Sequence, residues 1–393
     1  MPAFAGGLDA ARVVLAARFG YPRFRIHQLK VLGPLLAGRH VLAVLPTGAG
    51  KSLCYQVPAL LGRGLTLVVS PLISLMQDQV GALRRRGIAA AYLNSQLDAD
   101  QRHTILDATL AGRVPLLYCA PERLPSLTRR LRIAHTPLAL FAIDEAHCIT
   151  EWGNEFRPVY RRLGVFRSQL DHPLTIALTG SATPAARADI LSVLRIPQAE
   201  VVVTSFDRPN LGFAVRRVRD DRERFATLRA LVRGASQGAS LIYTPTRRLT
   251  ELVTRALIRS SIRAAPYHAG LTAGTRRRVL RAFLADRVSV IVATSAFGMG
   301  IDKPDVRQVI HWGPPPTLEA YYQAAGRAGR DGRPSQCLIL WRPQDFAWGE
   351  VAPPMRRYVE ARRCRRRMLL EYFGEQGSGC SGCDLCRYSD HAR

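Results

Sequence analysis

Lys51 stands near the end of the stretch "LPTGAGKS" (45–52), which follows an apolar run and precedes a segment that reads as a helix. Small, glycine-bearing residues between a strand and a helix let backbone N–H groups close around phosphates, and a lysine there reaches the β- and γ-phosphates. The expected cradle is Thr47, Gly48, Ala49, Gly50, Lys51 and Ser52, with the Ser52 hydroxyl on Mg2+. Leu45 stands where the usual pattern has its first glycine. Of the 56 basic residues only three are lysines (30, 51 and 303), against 53 arginines. A lysine kept at this place points to a need for a compact ammonium. "FAIDEAHC" (141–148) supplies acidic partners at the end of an apolar strand. Asp144 is the expected Mg2+ ligand, and Glu145 the residue that orients or deprotonates an attacking water.

Two further groups could do chemistry. In "YYQAAGRAGRDG" (321–332), Arg327 and Arg330 are three apart and share a face if the segment is helical. Such a pair suits arginine fingers on a γ-phosphate, with hydrolysis dependent on closure of two domains. Near the end, Cys364 is followed after fifteen residues by Cys380, Cys383 and Cys386. Four thiolates with two short gaps suit tetrahedral Zn2+ in a structural site with no open position. Cys364 is expected on a helix and the other three on a loop. Arg362, Arg363, Arg365, Arg366 and Arg367 would then be displayed towards nucleic-acid phosphates.

Positioning these residues requires a particular scaffold. "VLAVLP" (41–46), "LTLVVS" (65–70), "VPLLYC" (114–119), "LALFAID" (138–144) and "LTIALTG" (174–180) are apolar runs separated by amphipathic segments such as 74–87. That alternation predicts parallel sheets covered on both faces. It restarts after "TSFDRPNLGF" (204–213), with strands expected at 240–244, 288–294, 308–312 and 336–341. The expected organisation is an α/β chain with domains at 1–207 and 208–346 and a small cysteine-rich piece at 347–393. The composition, 47% hydrophobic and 22% charged, is that of a globular chain. The net charge of +26 points to a polyanion such as nucleic acid. No apolar run approaches the roughly 18 residues of a membrane span, and no signal-peptide pattern opens the chain. A cytoplasmic protein without a membrane partner, nucleoid-associated if bacterial, is expected, and there clustered thiols stay reduced and bind metal.

Taken together, these motifs resemble those of the superfamily 2 helicases, and specifically the RecQ family of DNA helicases, over roughly residues 15–393. "FGYPRFRIHQ" (19–28) is similar to the motif that precedes the phosphate loop in that family. It implies that Tyr21 and Arg25 sandwich adenine and that Gln28 reads its edge, hence ATP. "SPLISLMQDQ" (70–79), "APERL" (120–124) and "LTGSATP" (178–184) resemble motifs Ia, Ib and III, with Ser181 and Thr183 linking nucleotide state to the cleft. "ATSAFGMGIDKPDVR" (293–307) resembles motif V, which implies Gly300 and Asp302 at ATP and Thr294 towards the DNA backbone. "CITEWGNEFRPVY" (148–160) resembles the family's aromatic-rich loop. Trp152 and Phe156 would stack on unpaired bases, with Arg157 beside them. The family usually has His where this chain has Asn154, an amide that cannot take up a proton.

The resemblance implies two RecA-like parallel-sheet α/β lobes plus a small C-terminal zinc-binding subdomain. It implies a 3′-to-5′ ATP-dependent DNA helicase or translocase that uses ATP, Mg2+ and Zn2+ in DNA repair or recombination. Single-stranded and tailed duplex DNA are the expected partners, and single-strand-binding or other repair proteins would be the protein partners. The chain ends seven residues after Cys386, so a short form without winged-helix and HRDC modules is expected. Three other readings stand beside this one: a DNA-dependent ATPase without autonomous unwinding, a superfamily 2 RNA helicase, and a basic zinc scaffold without enzymatic activity. Oligomeric state is not legible.

Overall fold

The computed structural model describes residues 4, 6–46, 48–151, 158–235, 238–295, 297, 303–347, 351–377, 379, 380 and 382–386. It divides into two compact units, Met1–Ser205 and Phe206–Arg393. The strands of the first unit are β1 (Val41–Val44), β2 (Leu65–Val69), β3 (Ala90–Leu93), β4 (Leu116–Cys119), β5 (Leu138–Ile143), β6 (Thr175–Thr179) and β7 (Glu200–Val203). Its helices are α1 (Gly7–Val14), α2 (Ile26–Leu36), α3 (Leu53–Ala59), α4 (Ile73–Arg85), α5 (Ala99–Leu110), α6 (Leu124–Ile133), α7 (Cys148–Glu151), α8 (Leu163–Gln169) and α9 (Pro184–Leu194). The sheet runs β3-β4-β2-β5-β6-β1-β7, and every pairing is parallel. Every residue of β1, β2, β4 and β6 is buried, as strands covered on both faces must be. Because β6 pairs with both β1 and β5, the segments that follow these three strands emerge side by side at one edge.

The second unit holds β8 (Leu211–Arg217), β9 (Ala239–Tyr243), β10 (Ala264–Tyr267), β11 (Val290–Ala293), β12 (Val306–His311) and β13 (Ser335–Trp341). They form a parallel sheet in the order β10-β11-β9-β12-β13-β8. Its helices are α10 (Asp221–Gly234), α11 (Arg247–Arg259), α12 (Ala273–Leu284), α13 (Leu318–Ala325), α14 (Pro353–Glu360) and α15 (Arg365–Tyr372). Asp220, Thr246, Thr272 and Thr317 each accept a backbone N–H at the start of α10 to α13, contacts worth about 1 kcal/mol apiece. Four strands, β3, β7, β8 and β10, were not expected from the sequence, and all four are sheet edges. Among the described residues no helix is long and apolar enough to cross a membrane.

The residues after 347 share the second unit's core. Met355, Tyr358, Val359, Leu369 and Cys383 are buried together with Leu211 and Phe213 of β8. Gly382 accepts a hydrogen bond from the Phe213 N–H at 3.2 Å, and Asp384 N–H returns one to the Phe213 carbonyl at 3.0 Å. Lys303 is also an internal residue, 5% exposed, with Nζ 2.7 Å from Asp286 and 3.0 Å from Asp305.

Two of the arginines expected to face nucleic acid do not. Arg365 is 3% exposed, and its Nε donates to both carboxylate oxygens of Asp384 at 2.7 and 2.9 Å. Arg366 is 1% exposed and bonds the Asp207 carboxylate and the carbonyls of Arg208 and Leu211. A buried guanidinium is tolerated only when its donors are matched in this way. Arg362, Arg363 and Arg367 are exposed, although Arg363 is paired with Glu371 at 2.9 Å. Arg366→Ala, which removes a buried guanidinium from Asp207 and from the Arg208 and Leu211 carbonyls, is predicted to cost about 3–5 kcal/mol. Arg362→Ala should stay within about 0.5 kcal/mol. Urea unfolding of the two variants checks the contrast.

Candidate nucleotide and zinc sites

The segment after β1 is built to hold an open loop. Leu45, in place of a glycine, is fully buried and extends the strand by donating its N–H to the Thr179 carbonyl at 3.0 Å. Gly48 and Gly50 then take φ of 82° and 75°, the left-handed region that glycine enters without strain. Ser52 sits at the start of α3 and makes no capping bond with its side chain. Lys51 Nζ donates to the Leu45 carbonyl at 3.2 Å, one of three donors the ammonium has. Thr47 lies outside the described residues.

The N-terminal motif is wired to this loop. Gln28, 3% exposed, donates from Nε2 to the carbonyls of Ala49 and Gly50 at 3.2 and 3.1 Å. Its Oε1 accepts from the Arg25 N–H at 2.9 Å. Both amide hydrogens therefore serve the phosphate loop, where an adenine edge was expected. His27, unremarked in the sequence, donates from Nε2 to the Ala49 carbonyl at 2.8 Å, and an Arg25 guanidinium nitrogen reaches the Gly48 carbonyl at 2.8 Å. Tyr21 is 48% exposed.

Asp144 and Glu145 follow β5. The Asp144 N–H is held by the Val69 carbonyl at 2.9 Å and the Ala146 N–H by the Leu178 carbonyl at 2.8 Å, which ties the turn to both neighbouring strands. Between them Glu145 adopts φ of 50°, a left-handed conformation that strains a residue with a Cβ. Asp144 is 7% exposed. Burial, reinforced by the Glu145 carboxylate, pushes its pKa up to about 7, while the Lys51 ammonium and the Glu145 N–H act against the rise.

Behind the carboxylates runs a buried chain absent from the sequence reading. His147 Nδ1 lies 3.3 Å from Glu145 Oε2 and 3.1 Å from Thr179 Oγ1. Thr179 Oγ1 donates its one hydrogen to the Ser181 carbonyl at 3.0 Å, so the bridging hydrogen must sit on His147 Nδ1. The segment after β5 is thereby joined to the end of β6 through an imidazole. Thr183, by contrast, is committed to capping α9, accepting from the Ala186 N–H at 3.2 Å.

In the second unit Arg327 and Arg330 are not helical. α13 ends at Ala325, and both arginines lie on the turn that follows, half-buried. Arg327 hydrogen-bonds the Tyr243 hydroxyl, which itself donates to the Phe297 carbonyl at 2.8 Å. Thr294 follows β11, with its N–H on the Tyr267 carbonyl at 3.3 Å. Gly300 and Asp302 lie outside the described residues.

The four cysteines come together. The sulfurs of Cys364, Cys380, Cys383 and Cys386 all lie within 4.8 Å of one another. Tetrahedral zinc, with Zn–S bonds of about 2.3 Å, needs sulfurs roughly 3.8 Å apart. Cys364 is the residue that caps α15 rather than one inside it. Burial raises the Cys383 thiol, but N–H groups of Arg365, Cys386 and Leu385 and the Cys386 thiol outweigh that and bring it down to about 7. Burial and the neighbouring thiols push Cys380 and Cys386 up instead, so without a cation the four share their charge unevenly. The other four cysteines are buried singly.

Residues 25–190 match the DEAD/DEAH box helicase family, residues 223–332 the helicase conserved C-terminal domain, and residues 352–387 the RecQ zinc-binding family. A protein of Bacillus subtilis named ATP-dependent DNA helicase RecQ is 40% identical over 399 residues, which span 96% of this chain and 67% of that protein. The chain belongs to the RecQ family. The Pasteurella multocida protein of the same name is 41% identical, over 95% of this chain and 61% of its own length. The RecQ-type chain thus spans about three fifths to two thirds of these relatives. Mycobacterium smegmatis helicase Lhr, solved with single-stranded DNA and AMP-PNP, shares the fold at 23% identity and a TM-score of 0.66, over 86% of this chain and 47% of that one. Its likeness identifies the two sheets as RecA-like.

Trp152, Asn154, Phe156 and Arg157, expected in an aromatic-rich loop, lie outside the described residues. Two predictions follow from the rest of the site. A carboxyl whose folded pKa is raised favours the fold below its unfolded value, about 3.9, and that support is lost as pH climbs towards 7. Asp144→Asn has no such titration, so without Mg2+ and nucleotide its gain in thermal midpoint over the parent should widen from pH 5 to pH 8. Cys383→Ser should lose the one zinc expected per chain, read by metal analysis, and lower the midpoint of the second unit.

Proposed function

We propose that this chain is the motor of a RecQ-type DNA helicase, hydrolysing ATP with Mg2+ to move 3′ to 5′ along single-stranded DNA and part a duplex. What carries the reading is the β5-β6-β1 edge of the first unit. There a glycine loop with Lys51 and Ser52, the Asp144–Glu145 pair, and the His147–Thr179 link to Ser181 follow three adjacent strands. Lys51 would neutralise the β/γ-phosphates, Ser52 and Asp144 would hold Mg2+, and Glu145 would position the attacking water. The metal supplies charge neutralisation at the phosphates when bound. Arg327 and Arg330 would serve as arginine fingers, with Gly300 and Asp302 also at the nucleotide. Arg25 and Tyr21 would flank adenine.

DNA as the track is supported by the net charge of +26, by the names of the relatives, and by the single-stranded DNA in the Lhr structure. Trp152, Phe156 and Arg157 would stack on unpaired bases, and Thr294 would face the backbone. DNA repair or recombination would be the setting, and zinc the structural metal.

Lys51→Ala and Glu145→Gln are predicted to lower DNA-stimulated ATP turnover by at least about a hundredfold. Wild-type turnover in either variant would overturn the assignment. Strand separation on a duplex with a 3′ single-stranded tail, and not on a 5′-tailed control, is the expected unwinding result. DNA-stimulated turnover without strand separation would reduce the reading to a translocase.

A further inference from the structure

The second unit opens with "FDRPNL" (206–211), which the sequence marked only as a boundary. In the structure this segment is a strap across the base of the arginine-bearing turn. The Arg208 guanidinium donates to the carbonyls of Ala328 and Gly329 at 3.1 and 3.0 Å and approaches that of Gly326 at 3.5 Å. These carbonyls bracket Arg327 and immediately precede Arg330. They also lie just past the C-terminal end of α13, where the helix dipole favours a cation. Asn210 Nδ2 adds bonds to the carbonyls of Gly329 and Arg333 at 2.9 and 3.0 Å. The approach is so close that a Cβ on Gly329, at φ of 56°, would stand 2.3 Å from Asn210 Nδ2.

The strap is itself fixed from the other side. Buried Arg366 bonds the Asp207 carboxylate and the Arg208 and Leu211 carbonyls. Phe206 stacks on Phe373, with ring centres 4.6 Å apart, and its N–H donates to Glu375 at 2.6 Å. Arg366 and Phe373 belong to or directly follow α15, the helix capped by Cys364. The preceding residue, Arg365, grips Asp384 between Cys383 and Cys386. One short helix therefore holds the cysteine cluster with one arginine and the strap with the next.

We propose that Arg208 is a positioning residue for Arg327 and Arg330, and that the cysteine cluster sets its place through Arg366. A guanidinium fork can serve several convergent carbonyls at once, which a lysine ammonium on a flexible stem cannot do in fixed directions. Loss of the fork leaves the turn's fold in place but lets the arginines drift, and displacements of an ångström are enough to slow a reaction that depends on placed charge. The inference rests on the reading of Arg327 and Arg330 as groups that assist ATP hydrolysis.

The test uses the full zinc-loaded chain with saturating single-stranded DNA. Arg208→Lys and Arg208→Ala should lower kcat for ATP by about tenfold to a hundredfold. KM for ATP should shift by less than about threefold, since binding is left intact. Binding of mant-ADP and zinc content should match the parent. In an Arg330→Ala background the Arg208→Ala change should cost less than about twofold more, because both changes disable one device. A kcat for Arg208→Lys within about twofold of the parent overturns the proposal, as does a loss that multiplies in full on Arg330→Ala. If Arg208→Ala does not fold, Arg208→Lys alone decides. Absence of turnover in the parent chain would instead sink the functional reading itself.

Discussion

The parallel pairing of β6 with β1 on one side and β5 on the other is the constraint from which the first unit's chemistry follows. Parallel strands all finish at the same edge, so segments far apart in the chain are delivered within side-chain reach of one another. Backbone bonds then fix them at close quarters: Leu45 to Thr179, Asp144 to Val69, Ala146 to Leu178. With the frame this rigid, an unfavourable state can be kept in it. Asp144 is buried far from its ordinary titration range, and Glu145 is held in a left-handed backbone. Both are costs that the surrounding pairing sustains, and perturbed, strained residues of this kind cluster at functional sites.

The second unit solves a different problem. Its arginine turn, between α13 and β13, is tied to the sheet by the Gly329 N–H on the Val306 carbonyl at 2.9 Å, and side chains donating into its carbonyls steady it further. Arg208 and Asn210 do this directly, and Tyr243 holds Arg327 from the sheet. The cysteine cluster lies behind the same assembly. Its segment is ordered partly by sharing the second unit's core, and its four clustered thiols suit a metal that would close it. What it adds to the unit's core is Cys383 against Phe213, and what it adds electrostatically is Asp384 for Arg365.

The sequence disclosed the interior strands and concealed the rims. β1, β2, β4, β5 and β6 read clearly because burial on both faces demands unbroken apolar runs. β3, β7, β8 and β10 each have one neighbour, and their sequences, "AAYL", "EVVV", "LGFAVRR" and "AAPY", show it. β10 even carries Pro266, which a central strand would not tolerate. The meeting of the four cysteines was legible because metal-binding thiols admit few substitutes at those spacings. Gln28 and His27 were not legible as loop supports, since either could as well have been a surface residue. His147 and Thr179 meet only through strand order, which periodicity does not give. Arg365 and Arg366 were misplaced because a run of five near-consecutive arginines says nothing about which of them face inward.

Of the three lysines, Lys303 is locked between two aspartates and Lys51 belongs to the phosphate loop, so Lys30 alone stands in solvent. The outward positive charge is thus almost wholly guanidinium. Such groups stay protonated at any pH a cell reaches, and they lack the primary amine that acylating chemistry consumes. The electrostatic grip of this surface on a polyanion can be loosened by counterions, but acetylation has almost nothing there to neutralise.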